Sequence, residues 1–262
     1  MKWLAALLSI GAVAVVMTMT GRGGGNFYVP ILVAVGAPMH VAAASGQFIL
    51  MATAVAAAIL FHKHRAVDWK LALVIDPPTD IMAFVGGYFS AYVAGTTLKL
   101  IMAGLLVLAG VAMLLKVGDR RVASEKRFGF WRREFAGETY TVNLWLALPI
   151  TALTGLVAGA VGISGGSFKV PLMVLACGVP MRVAVGTSSL MIAATAAMGL
   201  AGHAIQGHFD PHWALPMAGV AVLGGVIGSR FALRTKPKRL KILFALTTLA
   251  AAAFMATNAL LP

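Results

Sequence analysis

The sequence predicts an all-α integral membrane protein built from two inverted-topology repeats of about five hydrophobic segments each, with glycine-rich loops interrupting the membrane helices. Three observations carry that expectation. Of the 262 residues, 60% are hydrophobic and only 11% charged, and the mean hydropathy is +0.90, far outside the range of a soluble domain. Apolar stretches recur that approach or exceed the roughly 20 residues needed to cross a ~30 Å hydrocarbon layer as a helix, and none alternates as a barrel strand would. The third observation is a repeat: residues 21–38 read GRGGGNFYVPILVAVGAP and residues 162–180 read GISGGSFKVPLMVLACGVP. Setting Val29-Pro30 on Val170-Pro171 aligns Gly21, Gly24, Gly25 and Phe27 with Gly162, Gly165, Gly166 and Phe168. After one inserted residue, Gly36, Pro38, Met39, Val41 and Ala42 fall on Gly178, Pro180, Met181, Val183 and Ala184. The chain is therefore read as a tandem duplication.

The elements follow in order. A first helix is expected over 3–20; its start, Met1-Lys2-Trp3, looks like a signal peptide, but it runs into the glycine loop and is read as a retained membrane helix. A short apolar segment follows at 27–37, then a helix over 39–61 that stops at the charged run His62-Lys63-His64-Arg65. A helix over 69–92 is interrupted by Asp76-Pro77-Pro78-Thr79-Asp80, and another covers 97–115. The second half repeats the plan with helices at 142–161, 181–202, 213–233 and 240–260 and a short segment at 168–178. Trp69 and Trp213 hold matching places, as do Leu98-Lys99-Leu100 and Leu240-Lys241-Ile242. This divides the chain into a first repeat (1–117), a basic cytoplasmic linker (118–141) and a second repeat (142–262). In the linker, Phe128 to Trp131 lies between basic residues and suits a segment resting on anionic lipid headgroups.

The net charge of +13 reports orientation before it reports a nucleic-acid partner, which is not expected. With an odd number of crossings per half and the N-terminus outside, residues 62–70, the linker, Arg182 and the run Arg230 to Lys241 all fall inside. The segments 94–97 and 204–212, free of Lys and Arg, fall outside. Both termini are then periplasmic in an inner-membrane protein. Cys177 has no partner cysteine and is expected as a small core residue. His203, His208 and His212 sit in and beside a loop with Gly207 and Pro211, which does not favour a metal centre. No metal or other cofactor is expected. No HExxH or GxSxG occurs and no acid, base and nucleophile lie together, so an enzyme is not expected.

Segments 27–37 and 168–178 are too short to span, which puts the glycine loops within the membrane, where unwound backbone needs protein or water to satisfy it. Successive glycines allow the positive φ values that aim several N–H groups at one point, and the following helix turns its positive end there. Two such loops, inverted about the midplane, would converge on a small anion. The plain alternative is close helix packing, which is the expectation for Gly155, Gly159, Gly162, Gly224 and Gly228. Packing does not require Asn26, Ser164 and Ser167 beside the glycines.

Gly162-Ile163-Ser164-Gly165-Gly166-Ser167-Phe168 with Val170-Pro171, then Gly178-Val179-Pro180-Met181 and Val183-Ala184-Val185-Gly186-Thr187-Ser188, resembles the signature of the TauE/SafE sulfite exporter family. The first half carries a weaker form. The resemblance implies a secondary transporter exporting sulfite, sulfoacetate or a related organosulfonate across the bacterial inner membrane. Another small organic anion such as a carboxylate is the alternative, and a membrane-embedded enzyme or a scaffold subunit is the alternative of a different class. The sequence departs at Arg22, opposite Ile163, and at Ala43-Ala44-Ser45, opposite Val185-Gly186-Thr187.

The expected substrate-binding set is Arg22, Gly23, Gly24, Gly25, Asn26, Gln47, Ser164, Gly165, Gly166, Ser167, Lys169, Thr187 and Ser188. Arg22 either binds a sulfonate or carboxylate bidentately or snorkels to the inner headgroups. Lys169, where the first half has Tyr28, is an anion ligand or snorkels outward. The hydroxyl and amide side chains either donate to the anion or bond to their own helices. Ionised carboxylates are costly at that depth, which makes Asp76 and Asp80 candidates for proton coupling, with a proton or a sodium ion as the coupled ion. For Asp80, or Thr79, capping the helix that restarts after Pro78 is the competing role.

Overall fold

The computed structural model describes residues 2–89, 128–161 and 165–260, with helical positions 104, 107, 108, 110, 111 and 114 between them. The loop expected at 94–97, most of the helix over 97–115, linker residues 116–127 and Gly162, Ile163 and Ser164 lie outside the described residues.

The chain is mostly helical. Helix α1 (Lys2–Met19) ends where the Thr20 hydroxyl donates to the Met17 carbonyl at 2.8 Å and Gly21 turns to φ 71°. Helix α2 (Gly25–Ala34) has 10 residues, about 15 Å at ~1.5 Å per residue and half of a hydrocarbon layer. After Pro38, α3 (Met39–Lys63) is a full span with His62 and Lys63 in its last turn, where the helix dipole favours positive charge. Asp68 caps α4 (Trp69–Ile75), accepting from the N–H groups of Lys70 and Leu71 at 3.0 and 3.1 Å.

The fourth predicted helix breaks at Asp76 and resumes as α5 (Pro77–Tyr88). Pro77 occupies the first helical position, where its missing N–H costs nothing. The restart therefore comes one turn earlier than expected, and Asp80 lies in the first turn of α5 rather than ahead of it. No side chain caps α5, so the capping role proposed for Asp80 or Thr79 is not the one they have.

In the second half, α6 (Leu144–Val161) is followed by α7 (Gly166–Pro171), which continues as a π-helical turn over Leu172–Ala176. Pro171 has no N–H to give the Ser167 carbonyl, and beyond it the Cys177 N–H reaches back five residues to Leu172. Helices α8 (Met181–Ile205), α9 (Pro211–Arg234) and α10 (Pro237–Leu260) complete the chain. Among the described residues five helices, α1, α3, α6, α8 and α9, are long and apolar enough to cross a membrane. The protein is thus a multi-pass membrane protein.

The packing exchanges the two halves. Helix α1 lies on α9 as α6 lies on α5, α3 lies on α9 as α8 lies on α5, and α3 and α8 pack on each other. Glycines make this possible: a Cβ on Gly155 or Gly159 would stand 2.1 Å from the carbonyl oxygens of Thr79 and Ala83. One on Gly224 or Gly228 would meet those of Gly11 and Val15 at 2.6 and 2.2 Å. These helix glycines serve close packing, as their spacing predicts. At one end of the bundle Trp3 stacks on Trp213 and His40 on His208, each at 4.8 Å. At the other, Ala66, Val67, Val179, Ala232 and Leu240 share one buried cluster beneath the basic loops.

The linker adds a β-hairpin to the helices. Strands β1 (Phe130–Phe135) and β2 (Glu138–Asn143) pair antiparallel through Ala136-Gly137, both at positive φ, and the expected headgroup segment Phe128 to Trp131 forms the turn that leads into β1 and its first two residues. Alternation in ETYTVN turns Tyr140 and Val142 into the cluster at the basic end. Arg133 clamps Asp68 with two donors at 2.9 and 3.0 Å, and the Tyr140 hydroxyl donates to the same carboxylate. Burial alone would push the Asp68 carboxyl up, but the Arg133, Tyr140 and Leu71 donors outweigh it and hold the group below the usual carboxylate range.

That linkage has a definite sign. A depressed carboxyl contributes stability above its unfolded value, about pH 4, and loses it as pH falls through the folded value. The difference in detergent thermal midpoint between wild type and Asp68→Asn should be flat at neutral pH and close below about pH 4. Arg133→Ala, which strands a buried carboxylate, should cost on the order of 2 kcal/mol and open the hairpin to trypsin at Arg132.

Candidate functional site

The two glycine loops touch each other. Helices α1 and α2 enter and leave from the Trp3 end, α6 and α7 from the basic end, and their turns meet in the interior. A Cβ on Gly166 would lie 2.7 Å from the Gly21 carbonyl oxygen and 3.1 Å from the Arg22 Cα. Ser188 of α8 donates to that same Gly21 carbonyl at 2.8 Å, satisfying an acceptor that the unwound backbone leaves open. The loops differ in conformation. Gly21, Gly23 and Gly24 have φ of 71°, 69° and 90°, and the N–H groups of Gly21 and Arg22 turn back to the Thr18 and Met17 carbonyls at the end of α1, whereas Gly165 is right-handed at φ −68°. In the second loop Gly166 answers to close approach rather than to left-handed backbone.

At this contact Arg22 is buried, 1% exposed, so it does not snorkel. Its Nε donates to Ser167 Oγ at 3.0 Å and its Nη1 to Thr248 and Thr247 hydroxyls of α10 at 2.9 and 3.3 Å. The guanidinium also lies 5.3 Å from the Phe244 ring centre. Asn26 donates to the same Ser167 oxygen at 3.1 Å. Among the described residues no carboxylate pairs with Arg22, and its Nη2 and the Asn26 Oδ1 have no hydrogen-bond partner. A buried cation answered only by neutral groups keeps one donor unsatisfied within the protein.

Lys169 has a different environment. It is buried, and its ammonium pairs with Asp76 while donating to Thr195 Oγ1 at 2.7 Å and the Met191 carbonyl at 3.5 Å. Thr195 in turn lies within hydrogen-bond distance of Asp80 Oδ1, at 2.8 Å. All three ammonium donors are taken in this conformation, with Asp76 as the direct partner and Asp80 reached through Thr195. Asp76 and Asp80 thus share one network, although 93 residues separate Asp76 from Lys169.

The rest of the predicted set divides. Gly23 packs under Leu50 and Ile192, Gly24 under the Tyr28 ring, and Gly165 beside Lys169 and Thr154, while Gly25 opens α2. Gln47 stands apart, donating to the Ala158 carbonyl at 3.3 Å in space left by Gly199. Thr187 accepts the Asp68 N–H at 3.0 Å near the basic end, so its hydroxyl supports the loop before α4. Ser189 bonds to its own helix, and His203 lies against the Gly159 carbonyl at 3.1 Å. The reading of the sequence missed Thr195, Thr247 and Thr248. Thr195 was findable, because the offset that sets Met39 on Met181 sets Thr53 on Thr195; Thr247-Thr248 is an adjacent polar pair in an apolar helix.

Among the described residues a bundle of apolar spans encloses two buried, hydrogen-bonded cations, and comparison with known proteins gives the class, a membrane transporter. The chain belongs to the sulfite exporter TauE/SafE family, whose model matches residues 6–255. It is 27% identical over 236 residues to the probable membrane transporter protein YunE of Bacillus subtilis (strain 168), covering 85% of this chain and 86% of that one. The similarly described YdhB of the same organism is 20% identical over 227 residues, covering 86% and 88%. A probable membrane transporter protein of Xylella fastidiosa (strain 9a5c) is 35% identical over 96 residues, covering 35% of this chain and 37% of that one. No solved structure matches.

The loop contact makes a sharp prediction. Gly166→Ala forces a Cβ onto backbone atoms and should lower the thermal midpoint in detergent by a cost of about 1–3 kcal/mol. Gly219→Ala on α9, where nothing lies within 4 Å of the added Cβ, should be neutral or slightly stabilising in the same assay.

Proposed function

We propose that the protein is a secondary transporter that exports a small sulfur-containing anion, such as sulfite, sulfoacetate or a related organosulfonate, across the bacterial inner membrane. The observation that carries the reading is the buried Arg22 guanidinium, without a carboxylate among the described residues and with Nη2 unpaired beside Asn26 and Ser167. An oxyanion supplies the missing charge and accepts the free donors. The substrate class and the outward direction come from the family's description. A carboxylate would suit the same guanidinium, and the flux panel below separates the two.

The site lies between halves that we read as inverted repeats, and the exchange of helix pairs and the entry of the two short helices from opposite ends support this. The basic end faces the cytoplasm by the positive-inside rule, which leaves both termini periplasmic. Residues 1–117, the linker 118–141 and residues 142–262 are then its units. Asp76 and Asp80 form the coupling element, adjoining the anion site because Ser167 and Lys169 share α7.

Flux into proteoliposomes tests this with sulfite, sulfoacetate, taurine and carboxylates. Sulfur oxyanions should move and Arg22→Gln should weaken apparent affinity about tenfold or more, with Arg22→Lys between the two because it keeps the charge and loses the fork. Absence of flux for every anion would sink the transporter reading. Asp76→Asn should abolish transport driven by a pH gradient while leaving substrate binding and exchange; unchanged gradient-driven transport would remove Asp76 from the mechanism.

A further inference from the structure

We infer that Lys169 sets the identity of the coupling ion: as a fixed internal cation it occupies the place beside Asp76 and Asp80 that a sodium ion would take, leaving the site to protons alone. The inference rests on the transport reading above. The ammonium is surrounded by oxygen, from the Asp76 carboxylate, the Thr195 hydroxyl at 2.7 Å and the Met191 carbonyl at 3.5 Å. Carboxylate, hydroxyl and helix carbonyl are the ligands that hard cations take in transporters. With Nζ in the centre of that set, a metal ion has no place unless Lys169 leaves.

The charge count then selects a proton. One ammonium faces two carboxylates, Asp76 directly and Asp80 through Thr195 at 2.8 Å, so with both carboxylates ionised one negative charge is left over in an apolar surround. One proton shared by the pair neutralises it, entering as a carboxyl proton and leaving from the same oxygens. Helix α5 contributes Asp80, α7 contributes Lys169, α8 contributes Thr195 and the Met191 carbonyl, and α6, packed behind α5, has no titratable side chain between Leu144 and Val161. On the open side, Asp76 and Asp80 line a cavity of about 170 Å³ with Trp69, Ala72, Met191 and Ala194, large enough for several waters. Protonation of Asp76 loosens its hold on Lys169, and Ser167, two positions earlier on α7, is the residue that Arg22 and Asn26 hold.

The two halves support treating these residues as one unit. The position matching Lys169 is Tyr28, uncharged, and the matching stretch of α9 from Trp213 to Ser229 has no carboxylate. Lysine and aspartates are present together on one side and absent together on the other.

The test uses the full-length protein in proteoliposomes and in detergent, with sodium against choline as probe. Wild-type anion flux should respond to a pH gradient and be indifferent to replacing choline by sodium at fixed pH. Lys169→Gln vacates the oxygen set: its flux should lose the pH drive about tenfold and become stimulated by sodium, and sodium should raise its thermal midpoint in detergent. Lys169→Arg keeps a cation in place and should remain indifferent to sodium. Sodium stimulation of the wild type or of Lys169→Arg would overturn the inference, as would a folded Lys169→Gln that is still driven by pH and blind to sodium. Where Lys169→Gln does not fold, the wild-type and Lys169→Arg arms decide. The sodium-dependent thermal shift does not involve the anion, so it reports on the cation site even if no anion is carried.

Discussion

A charge inside an apolar bundle has to be answered, and the ways this protein answers the two cations buried among the described residues organise the rest of the structure. Lys169 is answered in full by Asp76, Thr195 and a backbone carbonyl. Arg22 is answered in part, by serine and threonine hydroxyls and an aromatic face, with no carboxylate among the described residues. The first arrangement is a closed electrostatic unit and the second is an open one. Both arrangements meet at one short helix, where Ser167 holds Arg22 and Lys169 pairs with Asp76.

The same contact also ties the middle of the molecule to its basic end. Arg133 and Tyr140 of the hairpin hold the Asp68 carboxylate, the Asp68 N–H donates to Thr187, and the next residue, Ser188, holds the Gly21 carbonyl beside Arg22. Gly186 is needed for that approach, since a Cβ there would stand 2.3 Å from the Ala66 carbonyl oxygen. The first turns of α8 thus connect the hairpin-bearing surface to the loop that carries the unpaired guanidinium. This explains why Thr187, expected as a ligand, is a support for the loop before α4.

Several neighbours of the glycine loops were legible because short-range rules apply to them. Segments of about 11 residues at ~1.5 Å each are too short to span, which pointed to the glycine loops, and Arg22, Asn26 and Ser167 lie within a few residues of those glycines. Helix glycines at four-residue spacing behaved as packing surfaces for the same kind of local reason. The hairpin was hidden by its own composition: six-residue strands in a basic linker carry too few alternating positions to stand out from an interfacial segment. Asp76 and Asp80 were recognised as costly, but nothing near them in sequence says that a lysine shares that cost.

The sequence by itself determined the membrane environment, the duplication, the breaks at Gly21 to Gly24 and at Asp76, and the presence of cations and carboxylates where hydrocarbon makes them expensive. Composition, helix rise and the chemistry of glycine and proline suffice for those, since each acts over a few residues. Only the tertiary structure decided which charge meets which. Lys169 pairs with Asp76 across 93 residues and Arg22 meets Thr248 across 226, because helices from the two halves cross in the middle. Coulomb attraction and hydrogen bonding depend on distance in space, and the sequence offered both Lys169 and Arg22 as anion ligands, Lys169 the more strongly. Packing gave the aspartate to the lysine and left the arginine open.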